Sequence, residues 1–291
     1  MVADVGTRTA VYGVVGDPVE HSLSPALHNA AFQAAGLDCV YVAFRVSPAQ
    51  IGEAVAGARA LGLRGLSVTI PHKSSILAHL DEVDELARWV GSVNTVVNRG
   101  GRLIGYTSDG HGALEAFRAA GETTAGRKVV VLGTGGAARA IAFAICRDAT
   151  PASLELLGIE DAQRDALVAD LSARTGARVA GGRLDRLESV LRNADVLIQT
   201  TPVGMHPARD GTLVPAELLR ADLVVFDAVY NPLCTRLLAE AARAGSRTIP
   251  GLGMFVHQAA VQFRLWTGVE PPLDVMERVV RSRLGEPPRS H

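Results

Sequence analysis

The sequence predicts an α/β protein of two halves, each organised around a sheet with parallel strands, and three observations support that prediction. Apolar runs of strand length alternate with helical patterns almost throughout, the signature of parallel strands joined by right-handed crossovers. The 291 residues allow one large domain or two ordinary ones at about 100–200 residues each. Hydrophobic residues make up 48% and charged residues 20%, which is enough apolar material for cores of that size. The charges nearly cancel, with Lys+Arg 29 against Asp+Glu 30, so no basic surplus points to nucleic acid. No run reaches the roughly 18 apolar residues of a membrane span, and Met1 to Ala10 contains no signal-peptide core. Cys39, Cys146 and Cys234 lie far apart without metal-ligand spacing. A soluble, cytoplasmic protein with no metal, no membrane partner and no nucleic-acid partner is expected.

The elements follow in order. Val11–Val15 reads as a strand, and Pro25–Ala35 as a helix with Pro25 at its first position and Ser24 as its cap. Val40–Phe44 is a strand, Pro48–Ala60 a helix and Leu66–Ile70 a strand. Val93–Asn98 and Arg102–Tyr106 flank Arg99-Gly100-Gly101, which reads as a hairpin turn and brings in antiparallel pairing. The boundary between the halves is expected in a helix near Gly110–Gly121. A second series then runs Lys128–Leu132, Gly136–Arg147, Leu154–Leu157, Ala162–Ala173, Val196–Thr200, Leu223–Phe226 and Leu233–Ala244, alternating in type. Helices near Gly253–Trp266 and Pro272–Leu284 close the chain.

In the second half, the strand ending at Leu132 runs directly into Gly133-Thr134-Gly135-Gly136-Ala137-Ala138-Arg139 and an apolar helix. Gly133, Gly135 and Ala138 occupy a G-x-G-x-x-A dinucleotide fingerprint in its strand–turn–helix context. Gly133 permits the turn, Gly135 the approach of a pyrophosphate, and Ala138 close packing of helix on strand. The next strand ends in Leu157-Gly158-Ile159-Glu160-Asp161, acidic where an adenosine ribose would sit, with no basic residue before Arg164. Two readings stand there: ribose binding by Glu160, or an acidic first turn of the following helix.

In the first half, polar groups stand at the ends of apolar strands. His21-Ser22-Leu23-Ser24-Pro25 follows the first strand, and Ser67-Val68-Thr69-Ile70-Pro71-His72-Lys73 ends the third. Lys73 and Lys128 are the only lysines among 29 basic residues. Arginine can replace lysine where charge suffices, but it cannot release a proton near neutral pH. Lys128 reads as a solvated strand end. Asn94 lies in an apolar strand where an amide needs partners, and Asp109 begins the boundary helix. Each has a bland structural alternative. Together they supply hydroxyls, an amide, a lysine and a carboxylate beside a cofactor half, a set suited to alcohol oxidation.

These segments, together with Gly91–Thr95, Ser108–Gly110, Asp227–Pro232 and Gly251–Gln258, resemble the shikimate dehydrogenase family in order and spacing, from Tyr12 to Leu284. The resemblance implies a substrate domain at 1–110, completed by 254–291, a Rossmann-type cofactor domain at 111–253, and an active-site cleft between them. It implies Lys73 and Asp109 as the catalytic pair. It places Ser22, Ser24, Thr69, Asn94, Asp109 and Gln258 on the ring of a small cyclic hydroxy acid, with Tyr230 near its carboxylate. Gly133, Gly135, Gly136, Ala137, Ala138, Glu160, Arg164, Thr201, Val229, Gly251 and Met254 would border the cofactor, with Gly253 near the nicotinamide. The implied reaction is reversible oxidation of shikimate to 3-dehydroshikimate, on the chorismate route to aromatic amino acids, by a monomer or homodimer. The alternatives are a quinate or aminoshikimate dehydrogenase, or a nucleotide-sensing homologue without catalysis.

Three positions depart from the family pattern. Gly158-Ile159-Glu160 stands where Asn-Arg-Thr is usual, Gln199-Thr200-Thr201-Pro202 replaces Asn-Ala-Thr-Pro, and Thr107-Ser108-Asp109-Gly110 replaces Asn-Thr-Asp-Gly. Loss of the usual arginine makes NAD the expected cofactor, with NADP the alternative.

Overall fold

The structure, a computed structural model, describes residues 5–285. In chain order its strands and helices are β1 (Ala10–Gly16), α1 (Ser24–Ala34), β2 (Cys39–Arg45), α2 (Ile51–Ala60), β3 (Gly65–Val68), β4 (Glu82–Val83), α3 (Glu85–Val90), β5 (Thr95–Arg99) and β6 (Arg102–Tyr106). There follow α4 (Asp109–Ala119), β7 (Lys128–Leu132), α5 (Gly136–Ala144), β8 (Ser153–Leu157), α6 (Asp161–Thr175), β9 (Val179–Gly182) and α7 (Leu187–Leu191). The chain ends with β10 (Val196–Gln199), β11 (Val224–Asp227), α8 (Arg236–Arg243), β12 (Arg247–Pro250), α9 (Gly251–Thr267) and α10 (Leu273–Arg283). Two compact units result: one runs to Ser108 and resumes at Gln258, the other is Asp109–His257.

The first unit holds a mixed sheet in the order β2-β1-β3-β5-β6-β4. β1 is parallel to both its neighbours, and Tyr12 lies opposite Tyr41 on one side and Gly65 on the other. The order therefore switches direction at β1, which leaves a crevice beyond the C-terminal ends of β1 and β3. The expected hairpin is present. β5 and β6 pair antiparallel around Gly100 and Gly101, whose φ values of 63° and 96° suit glycine. One face packs Val15, Val55, Leu66, Val68, Ile76 and Val96 against α2 and the following turns. On the other, Phe32 of α1 stacks on Phe263 of α9 at 5.5 Å, and the Trp266 indole donates to Val96 O at 2.9 Å. Gly65 makes room for that indole, since a Cβ there would fall 2.2 Å from Trp266 Nε1.

The second unit is a wholly parallel sheet in the order β12-β11-β10-β7-β8-β9. Counted from β7, this is the 3-2-1-4-5-6 order of a dinucleotide-binding sheet, read from its far edge. Its switch point lies between β7 and β10. Leu132, Leu197, Val225, Leu223 and Leu237 fill one of its cores.

Some local expectations are corrected. Ser24 does not cap α1: the N-cap is Leu23, with no side-chain capping bond, and Ser24 is the first helical residue. The helix expected at Gly136–Arg147 is α-helical only to Ala144 and relaxes into a π turn at Ile145–Ala149. Pro48–Gln50 is a 3-10 turn leading into α2. β4, α3, α7, β9 and β12 have two to six residues each, too few for periodicity to mark them.

Candidate active site

In the first unit the polar residues converge because strand ends bring them together. β3 ends at Val68, whose N–H donates to Asn94 O at 2.8 Å, so Thr69 and Asn94 leave the sheet side by side. Thr69 is tied to β1 by its N–H to Val15 O, 3.0 Å. Gly16 allows this approach, since a Cβ there would fall 2.5 Å from Thr69 Cγ2. The turn after Thr69 brings round half-buried Lys73, whose carbonyl accepts from Val93 N at 2.8 Å. Gln258 of α9 completes the group, its Oε1 3.5 Å from Asn94 Nδ2. Ser24 begins α1 and Ser22 lies just before its N-cap, with Ser22 Oγ accepting from Ser24 N at 3.3 Å. Ser24, the first residue of α1 and 8% exposed, has its side chain beside the Tyr41 phenol.

Beneath this group lies a buried polar layer. Asn94 is 2% exposed, and its Oδ1 accepts from Ser108 N at 2.9 Å and from Thr95 Oγ1 at 2.7 Å. Tyr41 is buried with Ser67 and Ser24 as polar neighbours, and burial pushes its phenol above the usual value. His28 stacks on Tyr41 at 4.6 Å, and burial drives its imidazole down to about 3, so it is neutral. A groove of about 1050 Å³ between α1, β2 and α10 shares Ser22 with this group and is lined also by Asn29, Cys39 and Arg283 among others. Neither Lys73 nor Asn94 lines it.

Asp109 and Tyr230 belong to the second unit. Asp109 is the first residue of α4, 5% exposed. The next residue, Gly110, lets α4 meet α5, because a Cβ there would fall 2.4 Å from Ala140 O. Tyr230 stacks on Phe255 at 4.2 Å. The loop that carries it is held by fully buried Asp227, which accepts from Val229 N at 3.0 Å and from Thr235 Oγ1 at 2.7 Å. Burial raises the Asp227 carboxyl to about 6. Gly251 packs under the same loop, with the site of a Cβ 2.5 Å from Ala228 O.

The fingerprint loop sits at the second sheet's switch point. Gly133 has φ 108°, and a Cβ there would fall 2.6 Å from Thr200 Oγ1, which itself donates to Leu132 O at 2.6 Å. Ala138, in the first turn of α5, is buried. Gly135 is exposed, and nothing lies within 4 Å of the place its Cβ would occupy. It is also the N-cap of α5 and offers no side-chain capping bond, so the first helical amides, including those of Gly136 and Ala137, open onto that space. The cradle therefore fits a pyrophosphate. Gln199 folds the neighbouring turn: its Nε2 donates to Thr201 O and Val203 O, and its Oε1 accepts from Thr201 N at 2.9 Å. Val229 and Met254 are buried, 6% and 7% exposed.

At the end of β8, Ile159 is 66% exposed and Glu160 is exposed at the N-cap of α6 without a capping bond. Arg164 is bound by its own helix, at 2.6 Å from Asp161 and 2.8 Å from Asp165. Sequence reasoning missed Arg183, which follows β9 and reaches Asp161 at 3.0 Å. Val179-Ala180-Gly181-Gly182 has no apolar run to announce a strand, and so no strand end was expected there. It also gave no role to Gln262, whose only signal is its position one helical turn after Gln258 on α9.

The signature described as "Shikimate dehydrogenase substrate binding domain" matches residues 14–96, and "Shikimate 5'-dehydrogenase C-terminal domain" matches residues 251–281. A Methanosarcina mazei protein named shikimate dehydrogenase (NADP(+)) is 48% identical over 278 residues, 94% of this chain and 98% of the relative. The chain belongs to the shikimate dehydrogenase family. Within that family a Thermococcus kodakarensis relative of the same name is 47% identical over 98% of this chain and all of its own. Among solved structures, a Listeria monocytogenes shikimate 5-dehydrogenase in complex with shikimate and NAD has a TM-score of 0.89 at 35% identity, covering 96% of this chain and 99% of that one. A Corynebacterium glutamicum quinate dehydrogenase in complex with NAD reaches 0.88 at 32% identity, covering 94% and 99%.

Proposed function

We propose that this chain reversibly oxidises the ring 3-hydroxyl of shikimate to 3-dehydroshikimate, using a nicotinamide dinucleotide. The observation that carries the proposal is the convergence of Thr69, Lys73, Asn94 and Gln258 at one sheet end in a member of this family. On this reading 1–110 with 254–291 binds substrate and 111–253 binds cofactor, and the enzyme works in the cytoplasm as a monomer or homodimer. Ser22, Ser24, Thr69, Asn94 and Gln258 hold the hydroxyls and carboxylate of the ring, with Tyr230 beside the carboxylate. Gly133, Gly135, Gly136, Ala137, Ala138, Thr201, Val229, Gly251, Gly253 and Met254 border the dinucleotide, which when bound supplies the hydride acceptor. Substrate loses a hydride from carbon and a proton from oxygen, leaving the ring ketone. Lys73 and Asp109 take that proton as a pair and return it in the reverse direction.

NAD is the proposed preference. Around the end of β8 stand three carboxylates, Glu160, Asp161 and Asp165, against two guanidiniums, Arg164 and Arg183, both already paired. A 2′-phosphate would meet a net negative surface, whereas a free ribose finds an acceptor in Glu160.

A spectrophotometric screen of shikimate, quinate and an amino analogue with both cofactors tests the whole reading. Highest efficiency with shikimate supports it. Preference for quinate or the amino analogue reassigns the substrate, and no turnover with any of them overturns the proposal.

A further inference from the structure

We infer that Gln262, acting through Thr95, is the positioning residue that fixes which way the Asn94 amide faces. The inference rests on the reading above, in which Asn94 binds substrate, and adds what orients it.

An asparagine amide has an accepting and a donating end of nearly equal size, so its neighbours must decide which end meets a ligand. Here the decision follows from groups that can act in only one sense. The Asn94 main-chain carbonyl can only accept, and Gln262 Nε2 donates to it at 3.1 Å. That fixes the Gln262 amide, whose Oε1 then accepts from Ser67 Oγ at 2.8 Å. The second Nε2 proton goes to Thr95 Oγ1 at 3.1 Å. Having accepted there, the Thr95 hydroxyl directs its own proton to Asn94 Oδ1, 2.7 Å away. The Ser108 amide, a donor only, meets the same oxygen at 2.9 Å. Both anchors turn Oδ1 inward and leave Nδ2 directed to Ser108 Oγ and Gln258 Oε1. Gln262 is 2% exposed and Thr95 fully buried, so water does not substitute for either.

The relay has a direction, and the direction can be reversed without changing its shape. Gln262→Glu keeps the volume, but an ionised carboxylate only accepts. The Thr95 hydroxyl would turn toward it and abandon Asn94 Oδ1. Burial raises the pKa of such a carboxyl, and His28 of α1, the titratable group beside it, is held neutral by its own burial, so lowering the pH restores one of the two donors at position 262.

The test measures kcat, the KM values for shikimate and cofactor, and melting temperature in the full-length enzyme. For Gln262→Glu we expect a shikimate KM raised about ten-fold at pH 8, returning toward wild type near pH 6, with cofactor KM unchanged and kcat within about three-fold. Thr95→Val, nearly isosteric, should raise the shikimate KM similarly at both pH values, and Thr95→Ser should restore it. Asn94→Ala serves as the control for the underlying reading. If Asn94→Ala raises the shikimate KM while the Gln262 and Thr95 variants match wild type, the relay is overturned and the substrate site stands. If kcat and the melting temperature fall and both KM values rise together at both relay positions, the role is structural and the inference fails. If Asn94→Ala leaves shikimate KM unchanged, the substrate-site reading fails and the inference with it.

Discussion

Lys73 is one of two lysines in a chain that otherwise uses arginine for positive charge, and the structure separates the two by environment. Lys128 is exposed at the start of β7, its N–H donating to Asp195 Oδ2 at 2.7 Å, whereas Lys73 is half-buried beside the Asn94 strand end. The sequence difference between lysine and arginine becomes a difference in what can titrate. Lys73→Arg should therefore lower kcat about 10²–10⁴-fold while the dissociation constants of both ligands stay within a few-fold, as read by single-turnover kinetics and titration. Near-normal turnover would remove Lys73 from proton transfer. Ser24 is the second informative residue, because it is the first residue of α1 and not its N-cap. Ser24→Ala should raise the shikimate KM about ten-fold and leave the cofactor KM alone. Loss of melting temperature with unchanged KM would assign the hydroxyl to the Tyr41 layer instead.

At the scale of elements, what was legible in the sequence depended on length and on sign. β7 and α5 were readable because four apolar residues precede a glycine turn and an apolar helix follows. The Asn94 site was readable only in part. An amide in an apolar strand signals a need for partners, but Ser108 lies fourteen residues away and Gln262 168 residues away in sequence. No periodicity relates them; the fold does. The β8–α6 junction shows the same division. Its acids were visible in sequence, while the pairing of Arg164 within its own helix and the arrival of Arg183 from β9 were not. With those arginines occupied, catalytic efficiency should favour NAD over NADP by about one to two orders of magnitude. Glu160→Arg should narrow that gap by removing an acid and adding an unpaired guanidinium. Equal efficiencies with both cofactors in the unaltered enzyme would refute the preference.

On the scale of the whole molecule, each unit has candidate residues where the strand order of its sheet reverses, Thr69 after β3 and Gly133–Ala138 and Thr201 after β7 and β10, the position that sheet topology alone favours for ligands. Stability has its own pH signature. The Asp227 carboxyl, raised to about 6, binds a proton more readily in the folded chain than in the unfolded one, where the ordinary carboxylate value near 4 applies. Its contribution is thus fully present below about pH 4 and is lost as pH rises through about 6. Asp227→Asn abolishes that titration, so its unfolding free energy relative to wild type should improve by up to about 3 kcal/mol between pH 4 and pH 7. A difference that stays flat across this range would show that burial does not perturb the group. How such unfolding is watched matters, for an optical reason. The two tryptophans, Trp89 and Trp266, both belong to the first unit, and Trp266 sits against Gly65 within 5.2 Å of Tyr12 and 5.1 Å of His28. Intrinsic tryptophan emission therefore reports the substrate unit and is blind to the dinucleotide sheet, whose melting has to be followed by circular dichroism. Superimposable traces from the two probes would mean that the units unfold as one; an emission change displaced from the dichroic one would resolve them.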